Sequence, residues 1–400
     1  MKRNKWGIAA AAVGIHICVG SVYAWSVLTR PLQAQMGVDL AAVQWAFSIA
    51  IFFLGMSAAF FGGFVEGQGP KIAGLVSAAC FCTGLLGTGV AVHMKSIWLL
   101  YASYGVLGGI GLGIGYIAPV STLVKWFPKN RGFATGLAIM GFGFASFLAG
   151  PLMQWIGVKI GFDYMFGVMA LSYFIVMTLS ALYLKPPADK DEFIVTGKSV
   201  SSTVQAVRQW SAKEALGSWR FYSIWWMIFI NITCGIGLLS VASPMAQELV
   251  DMTATEAAVM VGIVGLVNGA GRLGWASVSD YLGRPNTYLL FFILQVGALY
   301  ALAESTSAFM FQLFLFLIIS CYGGGFATLP AFLADLFGTK ALSNIHGKIL
   351  TAWAMAGIAG PLLISYLKTA TSGYTATLYA YIACLLSALV VGLVVRFKKD

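Results

Sequence analysis

Acid is what this chain has least of. Only 14 of its 400 residues are Asp or Glu, against 24 Lys or Arg, and charged residues make up 10% of the whole. A soluble domain of this length could not cover its surface with so few charges. Cysteine is also scarce. Cys18, Cys80, Cys82, Cys234, Cys321 and Cys384 all fall inside apolar runs, without metal-ligand spacing or an extracellular pairing pattern, so they read as core packing. The sequence has no metal cluster, nucleophile–base constellation or phosphate loop, so an enzyme is not expected and no metal or cofactor is called for. The apolar runs lack period-two alternation, which excludes a membrane β-barrel. A cleaved signal is not expected either. The first run, MKRNKWGIAAAAVGIHICVGSVYAW, is too long and carries Tyr23 and Trp25 in place of a small-residue cleavage site.

What the chain does have is grease. Hydrophobic residues make up 59%, and the mean hydropathy is +0.85. Twelve segments are long enough to span about 30 Å of hydrocarbon. They cover residues 6–28, 41–63, 72–93, 97–121, 133–157, 163–184, 221–245, 255–278, 286–304, 308–333, 347–367 and 374–395. The fold class is therefore an all-α membrane protein of twelve transmembrane helices. With the N-terminus inside, 19 of the 24 Lys and Arg lie in cytoplasmic segments; Arg30, Lys95, Lys159 and Lys368 lie outside, and Arg272 lies within a span. That bias explains the net charge of +10 without nucleic acid, and it puts both termini in the cytoplasm of a cell-membrane protein. A monomer in the bilayer is expected.

The longest polar interruption, residues 185–220, divides a six-span half (1–184) from a second six-span half (221–400). It reads as a cytoplasmic linker, part of which could lie as a helix on the inner membrane surface. The halves repeat. GPLMQW at Gly150 matches GPLLIS at Gly360, and GYIAPVSTLVKWF (115–127) matches GFATLPAFLADLF (325–337), both at an offset of 210. The loop GFVEGQGPK (63–71) matches SVSDYLGRP (277–285), with Glu66 opposite Asp280 at an offset of 214. Parallel six-span pseudo-repeats are the architecture of alternating-access carriers with a site between the halves near the midplane.

Within VGIVGLVNGAGRLGWASVSD (261–280), Arg272 stands eight residues before Asp280, with no acid within seven residues on either side. That puts it ~12 Å inside its span. A cation at such depth costs from a few to over ten kcal/mol, and no Asp or Glu lies near the centre of any span to offset it. The planar guanidinium suits two-pronged pairing with a carboxylate. Arg272 is thus a candidate ligand for a small organic anion, the rival being a side chain that snorkels to the inner surface. Asn268, one turn earlier on the same face, is placed to bond the guanidinium and leave its other donors for substrate. His16 lies ~16 Å beyond Lys5 along its helix. It reads either as a hydrogen-bonded core histidine or as a proton acceptor. GFGFASFLAGP and GIAGP, in spans 5 and 11, read as rocking joints.

The loop EGQGPK between spans 2 and 3, echoed as SDYLGR between spans 8 and 9, resembles the signature loop of the major facilitator superfamily. Glu66, Asp280 and Arg284 would form its conformational latch. The first copy lacks the usual Asp-Arg pair. GSVYAWSVL, KWFPKNRGFATGLA, NGAGRLGWASVSDYLGR and YGGGFATLP, in order along the chain, resemble the oxalate/formate antiporter family, relatives of the monocarboxylate transporters. The resemblance implies that the span 8 arginine, Arg272, is a substrate ligand. It places Tyr23, Tyr116, Phe142, Tyr322 and Phe326 where the family sets aromatics around its substrate. In the family's oxalate carrier a span 11 lysine pairs with the second carboxylate; here Trp353 stands at that position. One deep cation favours monocarboxylates of the lactate, pyruvate or formate type over dicarboxylates. In animal monocarboxylate transporters the Asn268 position is commonly Asp, and their span 1 lysine falls near Val27, so that scheme of proton coupling is not expected to carry over. The expected function is secondary transport of small organic anions by alternating access, as H+ symport or anion exchange. The alternatives are an oxalate-type dicarboxylate antiporter or a transporter-like sensor.

Overall fold

The computed structural model describes residues 3–187 and 208–397, and the described residues are helical with no strand. Among the described residues, eleven helices are long and apolar enough to cross a membrane. One of them, Leu40–His93, runs for 54 residues and breaks at Gly69, whose backbone (φ 80°, ψ 170°) is not helical. A straight run of that length would reach about 80 Å, far more than the hydrocarbon thickness. It is two spans folded at a glycine that tolerates positive φ.

The spans are numbered α1 to α12. α1 is Lys5–Gly20, continued by a 3₁₀ turn, Ser21–Ala24, and a further helix, Trp25–Met36. The limbs 40–68 and 70–93 are α2 and α3. Then follow α4 (Ile97–Trp126), α5 (Arg131–Ile160), α6 (Phe162–Tyr183), α7 (Trp219–Val250) and α8 (Ala254–Leu282). The last are α9 (Arg284–Ala303), α10 (Ala308–Phe337), α11 (Leu342–Thr371, in two pieces meeting at Leu350) and α12 (Thr375–Phe397).

Each segment expected from hydropathy has its helix, but the helices outrun the apolar windows. Hydropathy senses hydrocarbon, whereas the backbone ladder ends where its orphan groups find caps. Ser218 accepts from Arg220 N and starts α7 ahead of its apolar run. Thr253 and Glu256 form a capping box that starts α8 among polar residues. Residues 188–207, most of the expected linker, lie outside the described residues, as do Lys2, Lys190, Lys198, Lys398 and Lys399 of the basic count. The described end of that stretch docks on α10: Trp210 N donates to Phe337 O at 3.0 Å, and Gln209 Oε1 accepts from Thr339 N and Lys340 N, both at 3.0 Å.

The repeat is visible in the backbone. Gly283 (φ 79°) folds α8 back onto α9 just as Gly69 folds α2 onto α3, again 214 residues apart. Two seams join the halves, α5 against α8 and α2 against α11, and both are closed by glycine. A Cβ on Gly143 would sit 2.7 Å from Gly269 Cα, and one on Gly55 would sit 2.7 Å from Leu350 O. At the end of the bundle that carries the termini, here the terminal face, the halves are locked together. Toward the opposite end a cavity of about 480 Å³ opens between them, with Thr29, Gln44, Ser240 and Val261 on its walls and Tyr23 and Asn268 among its lining.

Candidate functional site

Arg272 is wholly buried. Its depth in α8 is possible because α5 presents glycine: a Cβ on Gly136 would meet Arg272 O at 2.8 Å, and one on Gly143 would meet Arg272 Cδ at 3.3 Å. The guanidinium does not snorkel; burial among both halves rules out that rival. Nε donates to Asn268 Oδ1 at 3.3 Å and Nη1 to Ile139 O on α5 at 3.3 Å. Nη2 is buried with no hydrogen-bond partner. Among the described residues no carboxylate pairs with it. Its cation is flanked by rings instead, with Cζ 5.5 Å from the Phe142 centroid and 5.4 Å from that of Phe326. Such contacts help, but each is worth only ~1–2 kcal/mol.

The aromatics named from the sequence gather around this group. Trp353 packs on Phe326 (ring centroids 4.6 Å), Tyr116 (5.4 Å) and Phe142 (5.8 Å). Tyr23 packs edge-on against Phe142 at 5.1 Å, and Tyr322 against Phe326 at 5.3 Å. Tyr23 and Tyr322 lie within electrostatic reach of each other and of Arg272, as does Tyr116 of Arg272. Even so, the hydroxyls of all three and Trp353 Nε1 are buried without a well-formed hydrogen bond. Tyr23 of the first half and Tyr322 and Arg272 of the second thus bring polar groups without well-formed hydrogen bonds close together. A buried donor left unpaired costs ~1–3 kcal/mol, and an anion between them would satisfy several at once.

His16 stands behind Tyr116, on the first-half side. Its Nδ1 faces Ala138 O at 2.7 Å and its Nε2 faces Tyr116 O at 3.1 Å. Asn231 and Thr233, deep polar residues of α7, serve helix packing. Asn231 accepts from Gln295 Nε2 at 2.9 Å, and Thr233 Oγ1 donates to Phe229 O in its own helix at 2.7 Å.

The expected latch residues fall on two seams. Asp280 caps the start of α5, accepting from Gly132 N and Phe133 N, both at 2.9 Å, and it pairs with Arg284 at 2.6 Å. Arg284 also donates to Ser279 and pairs with Asp335 at 3.0 Å. Arg131, from the first half, pairs with Asp335 at 2.8 Å. Glu66 is not in this cluster. It sits at the α2 and α11 seam within reach of Lys125 and the Asn344 backbone, with Oε1 unpartnered. Asp335 and Arg131 were missed because span-end charges look like ordinary solvated residues. The offset of 210 sets Asp335 opposite Lys125 and carries the signal that could have found it.

The fold and the superfamily loop point the same way as comparison with known proteins. The family profile described as Major Facilitator Superfamily matches residues 10–361 and 233–400. The oxalate:formate antiporter of Oxalobacter formigenes is 29% identical over 365 residues, covering 89% of this chain and 83% of its own. Apicoplast pyruvate carrier 1 of Toxoplasma gondii is 25% identical over 461 aligned residues, covering 87% of this chain and 81% of its own. The solved structure of the Escherichia coli fucose:proton symporter FucP superposes with a TM-score of 0.72 over 98% of both chains at 13% identity, a likeness of fold alone. With a profile match across nearly its whole length and this twelve-helix architecture, the chain belongs to the Major Facilitator Superfamily.

Proposed function

We propose that this protein carries small monocarboxylates of the lactate, pyruvate or formate type across a cell membrane by alternating access, with Arg272 as the carboxylate ligand. The observation that carries the reading is the buried guanidinium with an unpartnered Nη2 and no carboxylate pairing with it among the described residues. Asn268 holds Nε, so the free edge of the fork is Nη2, beside the hydroxyls of Tyr23 and Tyr322. The cavity above is the route from the face opposite the termini. By the positive-inside distribution the terminal face is cytoplasmic, so the closed latch makes this the outward-open state. Relatives named for oxalate, formate and pyruvate fit the same substrate class. Coupling is by H+ symport or by exchange of one anion for another, since a lone anion would work against a negative interior.

The second reading, an oxalate-type dicarboxylate antiporter, rests on the Oxalobacter formigenes relative. Neutral Trp353 packed on Phe326 leaves the second carboxylate without a cation, which disfavours it. Liposomes bearing the purified protein decide between them, loaded with labelled lactate, pyruvate, formate and oxalate with and without a pH gradient. Arg272→Ala should lower uptake at least 100-fold. Arg272→Lys should lower it nearly as far if two-pronged pairing matters. Normal lactate or formate uptake by Arg272→Ala would end the proposal.

A further inference from the structure

One deep base has no part in the transport just described. His346, in the first piece of α11, is fully buried, and neither ring nitrogen has a hydrogen-bond partner. We propose that His346 is the proton-binding site of the carrier, loaded in step with the carboxylate on Arg272; the inference rests on the transport reading above and selects H+ symport within it.

Position is the first argument. His346 precedes Trp353 by seven residues and lies in the first piece of α11, on the terminal side of the break at Leu350. Its ring stands 5.9 Å from that of Tyr116 on α4, whose hydroxyl is also unpartnered. Tyr116 thus touches His346 and also Trp353, which packs on the two rings that flank Arg272.

The second argument is the seam. The helix piece bearing His346 touches α2 backbone to backbone. A Cβ on Gly62 would fall 2.7 Å from Asn344 Cα, and Gly347 abuts the Ala58 carbonyl. These contacts join the two halves, so opening the terminal face must part them and bring water to the imidazole. His16 differs. Its partners are Ala138 O and Tyr116 O, and α1, α4 and α5 all belong to the first half. A rigid-body rocking motion leaves its hydrogen bonds unchanged, whereas the packing around His346 changes with the state of the carrier.

The third argument is charge. His346 feels His16, and His16 feels Arg272. The other ionisable groups on the packed elements have their own engagements, among them Glu248 of α7, which pairs with Lys368 of α11 at the end opposite the termini. Glu66 and Lys125 interact with each other, Asp335 holds Arg131 and Arg284, and Glu214 of the short helix Ala212–Leu216 holds Arg208. Lys213, Arg220 and Lys348 complete the set. A carboxylate bound at Arg272 offsets the wholly buried cation nearest the two histidines, so a proton on His346 meets less positive charge. Each ~1.4 kcal/mol of like-charge repulsion relieved raises proton affinity tenfold. By linkage, the proton aids the anion by the same factor. The pair crosses as RCOO− plus H+, and the proton leaves to water on the receiving side.

The test uses the intact protein in liposomes with lactate and pyruvate as probes. It reads net uptake driven by a pH gradient and, separately, labelled-for-unlabelled exchange at equal pH. Wild type should show both. His346→Asn and His346→Gln should lose the gradient-driven gain by at least tenfold while exchange falls no more than severalfold. Retention of the gradient response in both variants overturns the proposal, as does a wild type that exchanges but ignores the gradient. Equal loss of both activities in both variants also overturns it, since that is the mark of a merely structural histidine. A wild type that exchanges neither probe would sink the transport reading itself.

Discussion

The two seams that join the halves are related by the internal repeat, yet they are furnished differently. The offset of 214 that pairs Glu66 with Asp280 and Gly69 with Gly283 also pairs Ala58 with Arg272 and Gly55 with Gly269. The offset of 210 that pairs Pro151 with Pro361 pairs Gly136 with His346 and Gly143 with Trp353. At the α5 and α8 seam, the bulk and the nitrogen base come from α8 and the glycines from α5. At the α2 and α11 seam, Gly55, Ala58 and Gly62 of α2 meet Leu350, Gly347 and Asn344 of α11. The α5 and α8 seam therefore places Arg272 against bare α5 backbone, whereas the α2 and α11 seam is backbone on backbone and Trp353 packs on rings of α4, α5 and α10. Duplication supplied two similar joints; substitution on opposite partners turned one into the anion end of the site and the other into its aromatic wall and histidine.

The largest effect should come from filling the joints. Gly143→Leu puts a branched side chain where even a Cβ is 2.7 Å from Gly269 Cα, and Gly55→Leu does the same against Leu350 O. Backbone must move in both, and overpacking of this kind costs ~1–3 kcal/mol or more. Initial-rate uptake should fall more than a hundredfold in each, with protein still extractable as a folded species by gel filtration. A collapse at one seam alone would show that only that seam is a moving contact.

A smaller and unequal effect is expected at the latch. Asp280 is a buried carboxylate with two backbone donors and an arginine, whereas Glu66 keeps one oxygen unpartnered. Charge-assisted hydrogen bonds contribute ~1.5–3 kcal/mol. Asp280→Asn should accordingly slow transport by about ten- to a hundredfold, and Glu66→Gln by no more than about threefold. Uptake rates measured side by side check the ratio; equal losses would mean that the degenerate loop is a working latch too.

This difference between seams marks where the sequence was readable. Hydropathy finds α7 and α8 because crossing hydrocarbon demands a continuous apolar run, and the repeat exposes the fold because glycine–proline pairs keep their spacing. Arg272 was legible because a lone cation in such a run has no cheap explanation. His346 was not, since it falls just ahead of the expected eleventh span, 347–367, and beside Lys348, where a histidine looks solvated. Only the packing of α11 on α2 and α4 buries it. The Arg131–Asp335 pair was hidden for the same reason: its members are 204 residues apart and meet only when the halves close.

The finest distinction concerns Trp353, which occupies on α11 the place that Gly143 has on α5. Trp353→Lys would set a second cation in the chamber, beside Phe142 and Phe326, which already flank Arg272. Without a second carboxylate the two cations repel, so uptake of lactate should fall severalfold. With oxalate, each carboxylate meets its own cation, and oxalate should gain on lactate by roughly tenfold, about 1.4 kcal/mol of differential binding. Competition of unlabelled oxalate against labelled lactate reads the ratio directly. An unchanged ratio in a variant that still transports would place position 353 outside the substrate's reach. The aromatic wall would then serve only to separate the anion at Arg272 from the seam behind it.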